Sequence, residues 1–108
     1  MEIQKNIDAG SYELLVSGRV DGEGANRLEE ELLAILFSKS KEASQNLKTI
    51  YVNLSRATFL CSAGLRALMQ HSRTMKSRQG QLLVSRPSPE AAEVLKMAGV
   101  YDQLVEKI

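Results

Sequence analysis

The chain has 108 residues, 44% of them apolar and 25% charged, with two prolines and seven glycines. That is the composition of one compact domain spanning 1–108, with a core large enough to stand without staples and no room for a second domain. Fourteen basic residues against thirteen acidic ones leave a formal charge of +1, and no basic stripe of the kind that tracks nucleic acid stands out.

The aromatic set is equally sparse. Two phenylalanines, three tyrosines and no tryptophan do not make a base-stacking platform. The lone cysteine, Cys61, has no intramolecular partner, which fits a reducing compartment. No apolar run is long enough to span a membrane, and the opening residues 1–6 lack a signal-peptide core, so a cytoplasmic location is expected.

Ile3, Lys5 and Ile7 alternate with polar neighbours, and residues 12–16 (YELLV) follow after a turn around Gly10. This is the pattern of an opening β-hairpin. Three glycines then punctuate residues 18–24 (GRVDGEG). From Ala25 the period changes, with Ala25, Leu28, Leu32, Ile35 and Leu36 recurring at helical steps and Glu29, Glu30 and Glu31 on the other, solvated face. Residues 38–46 are polar and rich in lysine and serine, and read as a long, mobile loop.

Residues 49–54 (TIYVNL) give the strongest strand signal, a run suited to a central strand covered on both faces. A loop from Ser55 to Cys61 leads to a helix beginning near Ser62, with Leu65, Leu68, Met69 and Met75 as its apolar face. Gln81 to Ser85 reads as a short strand. Ser88-Pro89-Glu90 opens a helix in the expected way, with a hydroxyl N-cap, proline at N1 and a carboxylate in the first turn. Ala91, Val94, Leu95 and Ala98 form its stripe, Gly99 ends it, and the tail from Tyr101 is a helical turn or an edge strand. The order ββαβαβα implies an α/β fold with a mixed, mostly parallel sheet of four to five strands and helices packed against it.

Catalytic arrangements find little support. The single histidine, His71, lies roughly 13 Å along its helix from Ser62, too far to serve Ser62 or Cys61 as a base, and reads as a residue packed beside the apolar stripe. A hydrolase using Cys61 or Ser62 as nucleophile therefore lacks its partner. One cysteine and one histidine cannot complete a zinc site. Gly22-Glu23-Gly24 lacks the rest of a dinucleotide fingerprint. No cofactor is expected.

One segment stands apart, residues 52–65 (VNLSRATFLCSAGL), where a buried strand leads into a helix built from Ser62, Ala63 and Gly64. Small residues there leave backbone N–H groups open at the helix mouth, a setting that accommodates a phosphate on serine. Capping by Ser62 is the commoner fate of such a residue. Asp21 is open to the same two readings, a place near Ser62 or a cap on the helix that follows.

The segment resembles the signature of STAS domains, in particular the bacterial anti-sigma factor antagonists. Asn53-Leu54-Ser55, Phe59-Leu60 and Cys61-Ser62-Ala63-Gly64-Leu65 follow the family's pattern in order. Gly18-Arg19-Val20-Asp21, Gly80 before Leu82-Leu83-Val84, and Ser88-Pro89 with Leu95, Ala98-Gly99 and Val100 extend the likeness over nearly the whole chain. The resemblance implies a STAS-type fold and a non-catalytic partner switch. Its partner would be an anti-sigma factor that is also a serine kinase of the histidine-kinase-like ATPase fold, with a metal-dependent serine phosphatase reversing the modification. Carried over by position, Ser62 is the phosphoacceptor. The partner surface falls on Asp21, Gly22, Thr58, Cys61, Ser62, Ala63, Gly64 and Arg66, in the 18–24 and 55–63 loops and the exposed side of the Ser62 helix. No nucleic acid or membrane partner is implied. Cys61 departs from the family, which usually has Asp before the phosphoacceptor. That leaves Cys61 as a small apolar substitute or a redox-sensitive group, and leaves a second role as an unphosphorylated STAS subunit of another signalling or transport assembly.

Overall fold

The computed structural model describes residues 1–8, 10–37 and 48–107; the 38–46 segment lies outside the described residues. Two strands, β1 (Glu2–Asp8) and β2 (Ser11–Val20), form the expected antiparallel hairpin, from Glu2 opposite Ser17 to Asp8 opposite Ser11. They are followed by helix α1 (Gly22–Leu36), strand β3 (Thr49–Leu60), helix α2 (Ser62–Ser77), strand β4 (Gln81–Ser85), helix α3 (Pro89–Met97) and a short helix α4 (Tyr101–Leu104). The sheet order is β1-β2-β3-β4, with β2, β3 and β4 parallel. The tail takes the first of its two expected forms, a helical turn, and makes only a single parallel bridge, Val105 to Val84, in place of an edge strand.

Strand alternation sets the core. Pairing lines up Leu14, Val52 and Val84, and beside them Tyr12, Ile50 and Leu82, on one face of the sheet. All of these but Tyr12 are buried, and they join Leu28, Leu32 and Leu36 of α1, Leu68 and Met75 of α2 and Leu95 of α3 in one cluster. The opposite face carries Glu13, Leu15, Tyr51, Asn53 and Leu83, all half-buried. The expectation that β3 is covered on both faces therefore holds fully for one of them.

Three features differ from the sequence reading, two of them element boundaries with a local reason. β3 runs through Leu60, so that most of the expected 55–61 loop is strand. Between Asn53 and Leu60 it spends two more residues than β2 spends between Leu15 and Val20, with register shifts after Leu15 and after Gly18. These bulges break the period of two, which hid the strand. Asn53 Oδ1 accepts from the Ser55 amide at 3.0 Å at the first shift, and Gly18 takes φ +95° at the second. Helix α1 starts at Gly22 rather than Ala25, because Asp21 supplies a cap, its Oδ1 accepting from the Gly24 amide at 2.9 Å.

The third correction concerns α2. Its buried residues are Gly64, Ala67, Leu68, His71, Ser72 and Met75, while Leu65 and Met69 are only half-buried. His71 is 3% exposed within that buried face, against α1, with Nε2 3.5 Å from Glu29 Oε1, rather than at the edge of the stripe.

The helix ends behave as their chemistry demands. Ser88 Oγ accepts from the Ala91 amide at 3.1 Å, with Pro89 at the first helical position. At the end of α3, Gly99 has φ +74° and the Val100 amide reaches back to the Leu95 carbonyl. The same closure at the end of α2 uses a non-glycine, Gln79 at φ +63°, with the Gly80 amide bonded to the Met75 carbonyl. A left-handed non-glycine costs roughly 1–2 kcal/mol, part of which glycine gives back in unfolded-chain entropy. Gln79→Gly is therefore expected to stabilise the protein by about 0.5–1 kcal/mol, read as a higher urea midpoint at constant m.

Candidate functional site

Parallel pairing brings two strand-to-helix junctions together. Val20 and Leu60, the last residues of β2 and β3, are register partners, and the Cys61 amide donates to the Val20 carbonyl at 2.9 Å. Asp21 and Cys61 therefore stand next to one another, each the N-cap of the helix that leaves its strand. The two helix mouths open on the same edge of the sheet.

Gly64 closes the seam between them. A methyl group added at its Cα would lie 2.9 Å from Val20 Cγ1, 3.0 Å from Leu60 Cδ1 and 3.9 Å from Ala25 Cβ. Of the eight residues expected on the partner surface, Gly64 is the one that is buried. Its part is to let α2 approach β2, β3 and α1.

Asp21, Gly22, Thr58, Ser62, Ala63 and Arg66 are exposed, and Cys61 is half-buried. Asp21 caps α1, the second of its two readings, and follows Val20, whose carbonyl accepts from the Cys61 amide. Ser62 does not cap α2. It is the first helical residue, and Cys61 holds the cap position without a side-chain hydrogen bond. The N-cap side chain thus leaves the mouth of α2 open, whereas Asp21 closes the mouth of α1.

The exposed hydroxyl of Ser62 sits at one end of a shallow groove of about 530 Å³ lined by Ser62, Leu65, Arg66, Met69, Gln70 and Arg73. Leu65 and Met69, expected on the apolar face of the helix, pack half-buried against the core cluster and also line this surface. α2 carries Arg66, Arg73 and Lys76 and no carboxylate. An unanticipated contact lies across the β2–β3 pair, where the Arg19 guanidinium sits 4.4 Å above the Phe59 ring.

His71 faces Glu29 on the buried side of α2, turned away from the exposed Ser62. Among the described residues no group of three or more His, Cys, Asp or Glu side chains is placed to hold a metal ion. No described helix is long and apolar enough to cross a membrane.

A model of the STAS domain family matches residues 1–108. The chain belongs to the STAS family. The fold agrees with that of the anti-sigma factor antagonist SpoIIAA in its unphosphorylated form, with a TM-score of 0.81 at 17% identity over 99% of this chain and 89% of that one. An anti-sigma factor antagonist from Mycobacterium paratuberculosis superposes with a TM-score of 0.78 at 20% identity, over 95% of this chain and 81% of the other. In sequence, the chain is 26% identical over 84 residues to BtrV of Bordetella bronchiseptica, provisionally assigned as an anti-sigma factor antagonist. That match takes in 78% of this chain and spans 66% of the length of BtrV.

Within the STAS frame two substitutions separate packing from capping. Gly64→Ala is expected to cost about 1–3 kcal/mol through overpacking against Val20 and Leu60, measured as a lower urea midpoint. Cys61→Asp supplies the missing acceptor and a charge that suits the helix dipole. It is expected to stabilise by about 1 kcal/mol, raising the melting temperature by roughly 4–8 °C, with Cys61→Asn isolating the hydrogen-bond share.

Proposed function

We propose that this STAS domain is an anti-sigma factor antagonist, binding an anti-sigma factor through the edge formed by the two helix mouths and switched at Ser62. The observation that carries the reading is the pairing of an exposed Ser62, at the first position of an uncapped helix, with Asp21 on the adjoining junction. The likeness to antagonists in sequence and fold supports it.

The domain acts by binding rather than by catalysis. Its partner is an anti-sigma factor with serine-kinase activity, and a metal-dependent serine phosphatase resets it. A phosphate on Ser62 adds about −1.5 to −2 charges at neutral pH. Within its own chain the open mouth of α2 tolerates that charge. Against a partner surface packed on a neutral hydroxyl it brings bulk, desolvation and repulsion. A loss of about 3 kcal/mol lowers affinity more than a hundredfold, enough to exchange partners. This chemistry belongs in the cytoplasm, where ATP and the transcription machinery are found.

Cys61 favours a second reading in one respect. The cap position next to Ser62 carries no carboxylate to help a kinase orient the hydroxyl, so the domain would then be a constitutive binder in another assembly. Intact mass after incubation with ATP and a histidine-kinase-like serine kinase from the same genome separates the two. One added phosphate, absent from Ser62→Ala, is the expected result. No added phosphate from a kinase active on another substrate overturns the switch and leaves the constitutive binder.

A further inference from the structure

Between the pairs Leu15–Asn53 and Ser17–Arg56, β2 places one residue, Val16, while β3 places two, Leu54 and Ser55. An extra residue in one strand turns a backbone group off the ladder, and such a group needs another partner. Here the surplus is fastened by side chain and main chain together. The Ser55 amide donates to Asn53 Oδ1 at 3.0 Å, and the Leu54 carbonyl accepts from the Ser88 amide at 3.0 Å.

We propose that Asn53 is a positioning residue for Ser62, fixing where β3 takes up its first extra residue and so the register in which its last residues reach the end of β2. The assignment rests on the switching role proposed above for Ser62. It adds a residue outside the surface given to the partner, five β2 steps or roughly 16 Å short of the junction.

Apolar burial alone marks this register weakly. Leu54, Ala57 and Leu60 are buried while Ser55, Arg56, Thr58 and Phe59 are exposed, so the buried positions recur every three residues instead of every two. Each step of three contains one bulge. Were the first bulge lost, plain alternation would turn Arg56 toward the core and Ala57 away from it. Ala57 holds its place with a single methyl group, a small share of buried area. A side-chain acceptor is a sharper mark, because hydrogen bonds weaken steeply with distance and angle. An asparagine carboxamide also selects one amide, the one two residues on.

The second shift has its own fastening. Gly18 takes φ +95°, and the Arg19 guanidinium lies 4.4 Å over the ring of Phe59, its register partner. With that shift held, slack released at Asn53 is not taken up before Leu60. It passes to Cys61, whose amide bonds the Val20 carbonyl, and from there to Ser62 at the first position of α2.

The test compares the intact domain with three variants. Asn53→Leu is close in size and has no acceptor, Asn53→Ala removes the acceptor without adding bulk, and Asn53→Asp keeps an oxygen in place. Residue-resolved amide hydrogen exchange reads the junction without any partner. In Asn53→Leu and Asn53→Ala the Cys61 amide is expected to exchange about tenfold faster relative to the core amides of Leu28 and Leu32. Asn53→Asp is expected to keep the wild-type ratio. An unchanged ratio in the first two variants, or the same acceleration in Asn53→Asp, overturns the proposal. Phosphorylation of Ser62 by the kinase used above is expected to slow about tenfold in kcat/KM in Asn53→Leu and Asn53→Ala and to recover in Asn53→Asp. Faster Cys61 exchange with phosphorylation unchanged overturns the link to Ser62. A wild-type domain that takes no phosphate overturns the switch instead, and the exchange ratios still decide whether Asn53 sets the register.

Discussion

The functional edge depends on one contact, the parallel closure of β2 onto β3 at their last residues. Val20 beside Leu60, with the Cys61 amide on the Val20 carbonyl, fixes both chain exits in the same plane. Gly64 then lets α2 leave that plane at close range to Val20 and Ala25. Everything proposed for the domain follows from this alignment. Asp21 and Ser62 are separated by forty residues of sequence, and both follow strand ends that pair with one another, Val20 with Leu60.

The uneven finish of the two mouths gives the edge its chemistry. Asp21 ties off α1 through the Gly24 amide, while Cys61 leaves α2 without a side-chain acceptor. One mouth is occupied by its own carboxylate, and at the other the N-cap side chain makes no hydrogen bond. The same helix carries its only charges as arginine and lysine along its outward side. Open backbone N–H groups at one end and guanidinium groups along the flank make α2 the electropositive element of a nearly neutral molecule.

Much of this was legible from residues. The hairpin, the stripe of α1 and the Ser88 start of α3 were readable because each rests on a local period or a local cap that tertiary structure did not disturb. The second half of β3 was not, because Ser55, Arg56, Thr58 and Phe59 are exposed on a strand whose bulges shift the pattern out of alternation. The inward face of α2 was legible in part: Leu68 and Met75 are buried and Leu65 and Met69 pack half-buried against the core, whereas Gly64, Ala67 and His71 take inward places that no apolar stripe announced. Ser62 was found by its motif, but its place inside the helix rather than on the cap required the backbone.

The two extra residues of β3 have a further consequence. Over the stretch in which β2 advances from Leu15 to Val20, β3 advances from Asn53 to Leu60, and the surplus is absorbed as two bulges. The strand therefore works as a ruler whose slack has been taken up at fixed marks. Removing one residue while both bulges are kept would draw the start of α2 back by roughly 3.3 Å and turn Leu60 to the opposite side of the sheet, whereas removing a bulge residue would leave Leu60 opposite Val20. The placement of Asp21 relative to Ser62 thus depends on how β3 absorbs its two extra residues, some distance from either residue.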